Sequence, residues 1–256
     1  MDNPLHHLGQ TRSALERNHL LLTPDTFVRT TVPGMSKAVA IIHVSPAIGA
    51  AFTQYTAEFE PNGQLGPTSA QRFLYLLEGS IELEVSGKQQ ALAPRGFAYI
   101  PEGLSHKVTA KDGSRVAVVE KPYQRLDSAA APELIVSSED AVASLALNND
   151  PDLQVRCLLP DHPSYDFAVN TMSYQPGAAL SMVEMHIMEH GLLMLEGGSI
   201  YRLGDSWYPT TAGDFIWMGP WCPQWFGAIG KVPAKYLIYK DWNRHPLRAE
   251  AQPLEP

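Results

Sequence analysis

Along this chain, valine, isoleucine, tyrosine and phenylalanine gather in short runs with every other position polar, separated by turn residues. With 19 glycines and 21 prolines as punctuation, that pattern predicts many brief β-strands and little helix. Strands are expected over 37–44, 51–59, 72–77, 81–85, 97–100 and 114–120. A second series is expected over 167–174, 181–187, 191–195, 200–203, 214–218 and 235–240. Between the two series, the Ala129-Ala130-Ala131-Pro132 and Ser137-Ser138-Glu139-Asp140 stretches read as a linker with a short capped helix.

The two series repeat. Leu77-Glu78-Gly79 aligns on Leu195-Glu196-Gly197 at an offset of 118 residues. The same offset lays Pro101-Glu102-Gly103-Leu104-Ser105-His106 on Gly219-Pro220-Trp221-Cys222-Pro223-Gln224. Two separated anchors in one register predict a duplicated unit. The expected architecture is therefore all-β. It consists of two tandem jelly-roll barrels, 1–121 with an N-terminal arm and 150–256, joined by a linker over 122–149, with short helices at the termini and linker.

Composition narrows the function classes. The 256 residues carry 27 acidic against 19 basic side chains, a net charge of -8, and no basic cluster, which argues against nucleic acid or an anionic membrane as partner. A small anionic substrate stays possible, because the charge of a site can oppose the net charge. The first ten residues lack an apolar segment and no long apolar run follows, so a cytoplasmic protein is expected. Cys157 and Cys222 are too few for a disulfide framework and read as small core residues.

The chemistry concentrates in 176–197. If 181–187 is a strand, Glu184 and His186 share the face that looks into the barrel, while Val183 and Met185 point away. His190 opens the next strand and can turn back beside them. Two imidazoles and a carboxylate suit a divalent first-row metal that keeps positions open for substrate, and Gln224 can add an amide oxygen. The repeat-equivalent positions of the first half are Gly66, Thr68, Arg72 and His106, a set with one plausible ligand, so that half is expected to be metal-free and structural. Glu189 is expected to be solvated or to support a ligand.

This ligand segment resembles the cupin superfamily, with Gly177 and Gly197 as frame. It departs from the usual pattern because Glu184 stands where a histidine is usual, His190 where a glutamate is, and Gln224 where the last histidine is. More narrowly, the chain resembles the (S)-ureidoglycine aminohydrolase family of bicupins between Arg12 and Asn243. The resemblance rests on Leu21-Leu22-Thr23-Pro24-Asp25, Phe73-Leu74-Tyr75-Leu76-Leu77-Glu78-Gly79, Glu184-x-His186-x3-His190 with Gln224, and Tyr236-Leu237-Ile238-Tyr239-Lys240-Asp241. It implies ammonia release from (S)-ureidoglycine in purine and allantoin breakdown and a homo-oligomer. It also implies one Mn2+ per chain, in the C-terminal barrel, on Glu184, His186, His190 and Gln224. Tyr201, Tyr236 and Lys240 are implied around the substrate, with Glu184 and Lys240 as the catalytic pair. Strand alternation independently puts Tyr236, Ile238 and Lys240 on one face. From the residues alone an iron-dependent dioxygenase and a non-catalytic ligand-binding protein remain alternatives.

Overall fold

The computed structural model describes residues 11–244. Its regular elements are β-strands and three 3-10 turns, Pro24–Thr26, Pro46–Ile48 and Glu139–Ala141. A ten-stranded antiparallel sheet is built mainly from the first half. Its central neighbours are Gly96–Ile100, Gln71–Glu78, Ser114–Lys121, Thr53–Leu65, His106–Ala110 and Ile81–Val85. An eight-stranded sheet runs Phe215–Met218, His190–Glu196, Ala234–Asp241, Phe167–Tyr174 and Asp150–Cys157 through its middle. A three-stranded sheet of Ser206–Thr211, Gly198–Leu203 and Gln224–Ile229 accompanies it.

The repeat is visible in strand pairing. His106 faces Val85 in the first half and Gln224 faces Leu203 in the second; Arg72 faces Ile100 and His190 faces Met218. Each pair is shifted by the offset read from the Leu-Glu-Gly turns. Those turns need glycine twice over. Gly79 and Gly197 sit at φ of +83° and +69°, and a Cβ would strike Gly113 and Ser114 in one case and Pro233 in the other.

Alternation along the strands sorts apolar side chains into three cores. One lies wholly within the first half, around Tyr55, Leu74, Leu83, Val108 and Val118. A second lies within the second half, around Leu192, Met194, Tyr201, Phe226, Tyr236 and Ile238. The third is shared by both halves and takes the opposite faces of the same strands, with Phe73, Tyr75 and Val119 meeting Phe167, Leu193, Leu237 and Tyr239. Burying each such side chain contributes about 1.5–3 kcal/mol, so the two halves are joined by a core comparable to their own.

Buried charges pin this junction. Glu139 is fully buried and takes hydrogen bonds from Tyr75 at 2.5 Å, Thr171 at 2.8 Å and Lys235 at 2.9 Å. Burial alone would raise its pKa, yet those donors hold the carboxyl below its ordinary value. Asp166, also fully buried, takes bonds from Gln71 at 2.6 Å and Lys121 at 3.1 Å. The chain also crosses between halves. His19–Leu22 pairs with Phe215–Met218 of the second half, anchored by a two-pronged Arg12–Asp214 ion pair. Ile135–Ser138 pairs back onto Gly96–Ile100.

Several expectations change. The 122–149 stretch contains the strands Ile135–Ser138 and Leu145–Leu147, and its capped helix is a single 3-10 turn whose cap Ser138 accepts from the Asp140 amide. The 181–187 strand does not form as a regular element. Two isolated bridges, Ala179 to Gly227 and Glu184 to Gln224, hold that segment against Gln224–Ile229. Its apolar Met182 and Met185 are 66% and 62% exposed, so no packed face enforces the pleat. Cys157 is exposed, unlike Cys222, because the strand that carries it lies near the sheet's edge.

Candidate active site

The second-half core is lined by the inward faces of four strands, and the residues expected in the site come from them. His190 and Lys240 are direct cross-strand partners on His190–Glu196 and Ala234–Asp241. Lys240 follows Tyr236 and Ile238 on the inward face, while Leu237 and Tyr239 belong to the shared core, as the alternation predicts. Tyr201 and Gln224 come from the three-stranded sheet. Glu184 is tied to Gln224 by reciprocal backbone hydrogen bonds of 2.8 and 2.9 Å, and His186 accepts at its carbonyl from the Trp221 amide.

His186, His190 and Gln224 converge. The two Nε2 atoms are 3.2 Å apart, with rings edge-on at 4.8 Å between centroids, and the Gln224 amide stands 2.9 Å from His186 Nε2. Nδ1 of His186 lies 3.1 Å from the Met188 carbonyl, which can only accept. The proton therefore sits on Nδ1, and Nε2 presents a lone pair to the cluster. His190 is buried, and burial, with Lys240 and His186 nearby, holds its pKa well below the ordinary value and keeps the ring neutral. Among the described residues its Nδ1 has no hydrogen-bond partner.

These atoms suit a cation. Two imidazole nitrogens that each bind one ion at about 2.0–2.1 Å and at right angles stand roughly 3 Å apart, close to the separation found. The Gln224 amide, whose oxygen and nitrogen are interchangeable in such an assignment, completes the group. Glu184 does not join it: among the described residues no three histidine, cysteine, aspartate or glutamate side chains are grouped as a metal would hold them. The Glu184 carboxylate is half-buried and acts electrostatically on Lys240, Tyr174, Tyr201 and Tyr236.

Around this cluster the walls are neutral donors. Tyr201 and Tyr236 are both 2% exposed, and burial pushes both phenols well above their ordinary pKa. Tyr201 reaches Met218 Sδ at 3.3 Å and Gln224 Oε1 at 3.4 Å; Tyr236 meets Tyr174 Oη at 2.8 Å and Met172 Sδ at 3.1 Å. Lys240 makes no ion pair or hydrogen bond among the described residues, and burial lowers its pKa against the opposing pull of Glu184. Tyr174 and the two methionine sulfurs were not singled out from the sequence. For Tyr174 and Met172 the signal was the alternation of 167–174, which puts both on one face.

Glu189 is a correction. It is buried, not solvated, and its oxygens accept from the Ala51 amide at 2.8 Å and Trp217 Nε1 at 3.1 Å. Next to it, a Cβ on Gly191 would collide with Gln54 and Phe52 of the first half. The first half thus packs directly behind the strand that carries His190.

Comparison with known proteins follows this geometry. No family model matches the chain. A rice (Oryza sativa subsp. japonica) protein named "Probable (S)-ureidoglycine aminohydrolase" is 41% identical over 242 residues, 93% of this chain and 78% of the relative. The (S)-ureidoglycine aminohydrolase of Arabidopsis thaliana is 39% identical over 242 residues, 93% of this chain and 80% of that one. The Escherichia coli enzyme of the same name is 31% identical over 234 residues, 89% of each chain. Among solved structures, protein YlbA from E. coli superposes with a TM-score of 0.82 at 28% identity, covering 92% of this chain and 96% of that one. An oxalate decarboxylase, 12% identical with a TM-score of 0.67 over 88% of this chain and 77% of its own, shares the fold alone. The fold is all-β and cupin-like, and among the described residues no helix is long and apolar enough to cross a membrane. With these identities over nine-tenths of its length, the chain belongs to the (S)-ureidoglycine aminohydrolase family.

Proposed function

We propose that this chain hydrolyses (S)-ureidoglycine to (S)-ureidoglycolate and ammonia within purine catabolism. The observation that carries the reading is the convergence of His186, His190 and Gln224 beside an unpaired Lys240, in a chain about 40% identical to proteins of that name. We read one Mn2+ per chain at this point, held by His186, His190, Gln224 and, after its side chain turns inward, Glu184. Bound there, it would supply a Lewis acid for the substrate's carboxylate and fix the reacting carbon.

The chain's own groups supply the rest. Lys240, short of a counter-charge, receives the anionic end of the substrate. Glu184 handles the protons: the amine, in its protonated form, leaves as ammonia when the C–N bond breaks and the ureido nitrogen lends its lone pair. Water then adds its oxygen to the same carbon and gives a proton to the Glu184 carboxylate, which passes it to the released ammonia and so ends as it began. Tyr201 and Tyr236, neutral and buried, offer hydrogen bonds without adding charge.

We also read the chain as two tandem cupin barrels, 1–121 and 150–256 with 122–149 between them, the first metal-free. It acts as a cytoplasmic homo-oligomer that takes neither nucleic acid nor membrane as partner. The acidic balance of 27 to 19 supports the last point.

Freshly generated ureidoglycine, incubated with manganese-loaded protein, should release ammonia faster than its spontaneous decay and give a single enantiomer of ureidoglycolate. Ammonia release at the spontaneous rate, or a racemic product, overturns this reading.

A further inference from the structure

Beyond Lys240 the second half opens into a small cavity that the metal cluster does not use. Its volume is about 80 Å3, and Cys157, Asp161, Ala168, Asn170, Lys240 and Trp242 line it. At roughly 30 Å3 per water in the liquid, that is room for two or three heavy atoms and their hydrogens. Two of its polar groups are already matched, Trp242 Nε1 donating to Asp161 at 2.8 Å. Three are not. Among the described residues the Lys240 ammonium makes no ion pair and the exposed Cys157 thiol makes no hydrogen bond. The Asn170 side chain, in a residue 8% exposed, makes no hydrogen bond among the described residues.

Asn170 is placed for the site. On Phe167–Tyr174 it shares the inward face with Ala168, the direct cross-strand partner of Lys240, and it lies diagonally from Lys240 across the same ladder. Its amide atoms are not among the sealed, unpartnered polar atoms of the described residues, so they face this cavity and are free to meet a ligand there. A ligand that also meets the neighbouring lysine would complete both.

We infer that Asn170 recognises the carbamoyl end of the substrate's ureido group, with the cavity wall at Lys240 holding it in place. This rests on the ureidoglycine reading above. The chemistry distinguishes ureido from other small groups. A carboxylate offers only acceptors and would leave the Asn170 carbonyl unmatched. A carbamoyl group offers a carbonyl to the Asn170 NH2 and an N–H to its carbonyl, so both halves of the amide are satisfied at once. Three heavy atoms match the space.

The test uses manganese-loaded protein and two stable ligands, N-carbamoylglycine and N-acetylglycine, which differ by a terminal NH2 against a methyl group and lack the amine that leaves. Binding is measured by calorimetry and by inhibition of ammonia release. Wild type should bind N-carbamoylglycine about tenfold tighter or better, because a site built around a hydrogen bond rejects the analogue that lacks it. Asn170→Leu, which keeps the branching at Cγ and removes both polar atoms, should bring the two ligands within about twofold and raise KM for ureidoglycine about tenfold, with metal content and Tm held. Asn170→Ala answers the same question if the leucine variant does not fold. A preference that survives in the variant overturns the assignment, as does wild type that releases ammonia yet binds both ligands equally. If wild type releases no ammonia and binds neither ligand, the ureidoglycine reading falls and this one with it.

Discussion

The same register position carries opposite solutions in the two halves. In the first half Arg72 faces Glu120 across its ladder; in the second, His190 faces Lys240. Arg72 sends Nε and Nη2 to Glu120 Oε1 at 2.9 and 2.7 Å and Nη1 to the Gly66 carbonyl at 2.7 Å. That same Nη1 lies 2.6 Å from His106 Nε2, while Tyr55 donates to Glu120 at 2.8 Å. Every partner of the guanidinium belongs to the chain, and the cation is built in covalently. In the second half Gln224 replaces His106, His190 replaces Arg72, and the lysine opposite has no carboxylate. There the two imidazoles face one another at Nε2. One scaffold therefore gives a closed ion-pair cluster in the first half and, in the second, an open cluster of imidazole and amide groups whose chemistry suits the proposed cation. His106 conforms to this, since burial and Arg72 both lower its pKa and leave it a neutral acceptor.

The sharpest way to break the comparison is to remove the open cluster. His186→Ala with His190→Ala should eliminate both bound manganese, by elemental analysis, and ammonia release. Retained occupancy means that the metal lies elsewhere and the halves do not differ as argued. Lys240→Met should keep one metal per chain but slow turnover by two orders of magnitude or more, since losing one placed donor typically costs about 2.7–4 kcal/mol. Near-normal kcat/KM would make Lys240 a bystander to the cluster beside it.

Glu139→Gln probes the junction that lets one half back the other. It leaves Lys235 buried without its counter-charge and should cost about 3–5 kcal/mol of stability, a Tm fall of roughly 2–4 °C per kcal/mol. The sign with pH follows from the lowered folded pKa. The carboxylate's contribution is complete above its unfolded value of 4.5 and is lost as pH falls through the folded one. Wild-type Tm should therefore drop on acidification below that value, and the Gln variant should lack this component. Identical slopes would remove Glu139 from the account. The smallest effect belongs to His106→Ala, which should leave metal content and turnover unchanged and cost about 1–3 kcal/mol for its two hydrogen bonds, to Arg72 and to the Leu104 carbonyl. Loss of metal there would mean that the first half is a site after all.

Strand alternation put Tyr236, Ile238 and Lys240 on one face, and the 118-residue offset paired Arg72 with His190 and His106 with Gln224. Such patterns are legible because an inward residue two positions from another stays inward in any pleated strand, and because the positive φ of Gly79 and Gly197 calls for glycine whatever else surrounds the turn. The failures have the same origin. The 181–187 stretch looked like a strand, but alternation binds only where a packed face enforces it, and Met182 and Met185 face solvent. Of the two expectations for Glu189, solvated or supporting a ligand, the first fails because its partners, Ala51 and Trp217, lie 138 and 28 residues away.

What the sequence determined by itself was therefore the inventory of the proposed site and the asymmetry of the repeat: which half carries the candidate ligands and which carries an arginine at the same position. Only the tertiary structure decided that His186 and His190 meet at Nε2 while Glu184 stays apart, that Asn170 stands unmatched beside Lys240, and that Glu139 is locked to Lys235. These depend on distance across strands remote in the chain, on burial that sets which charges persist, and on partners that no local periodicity encodes.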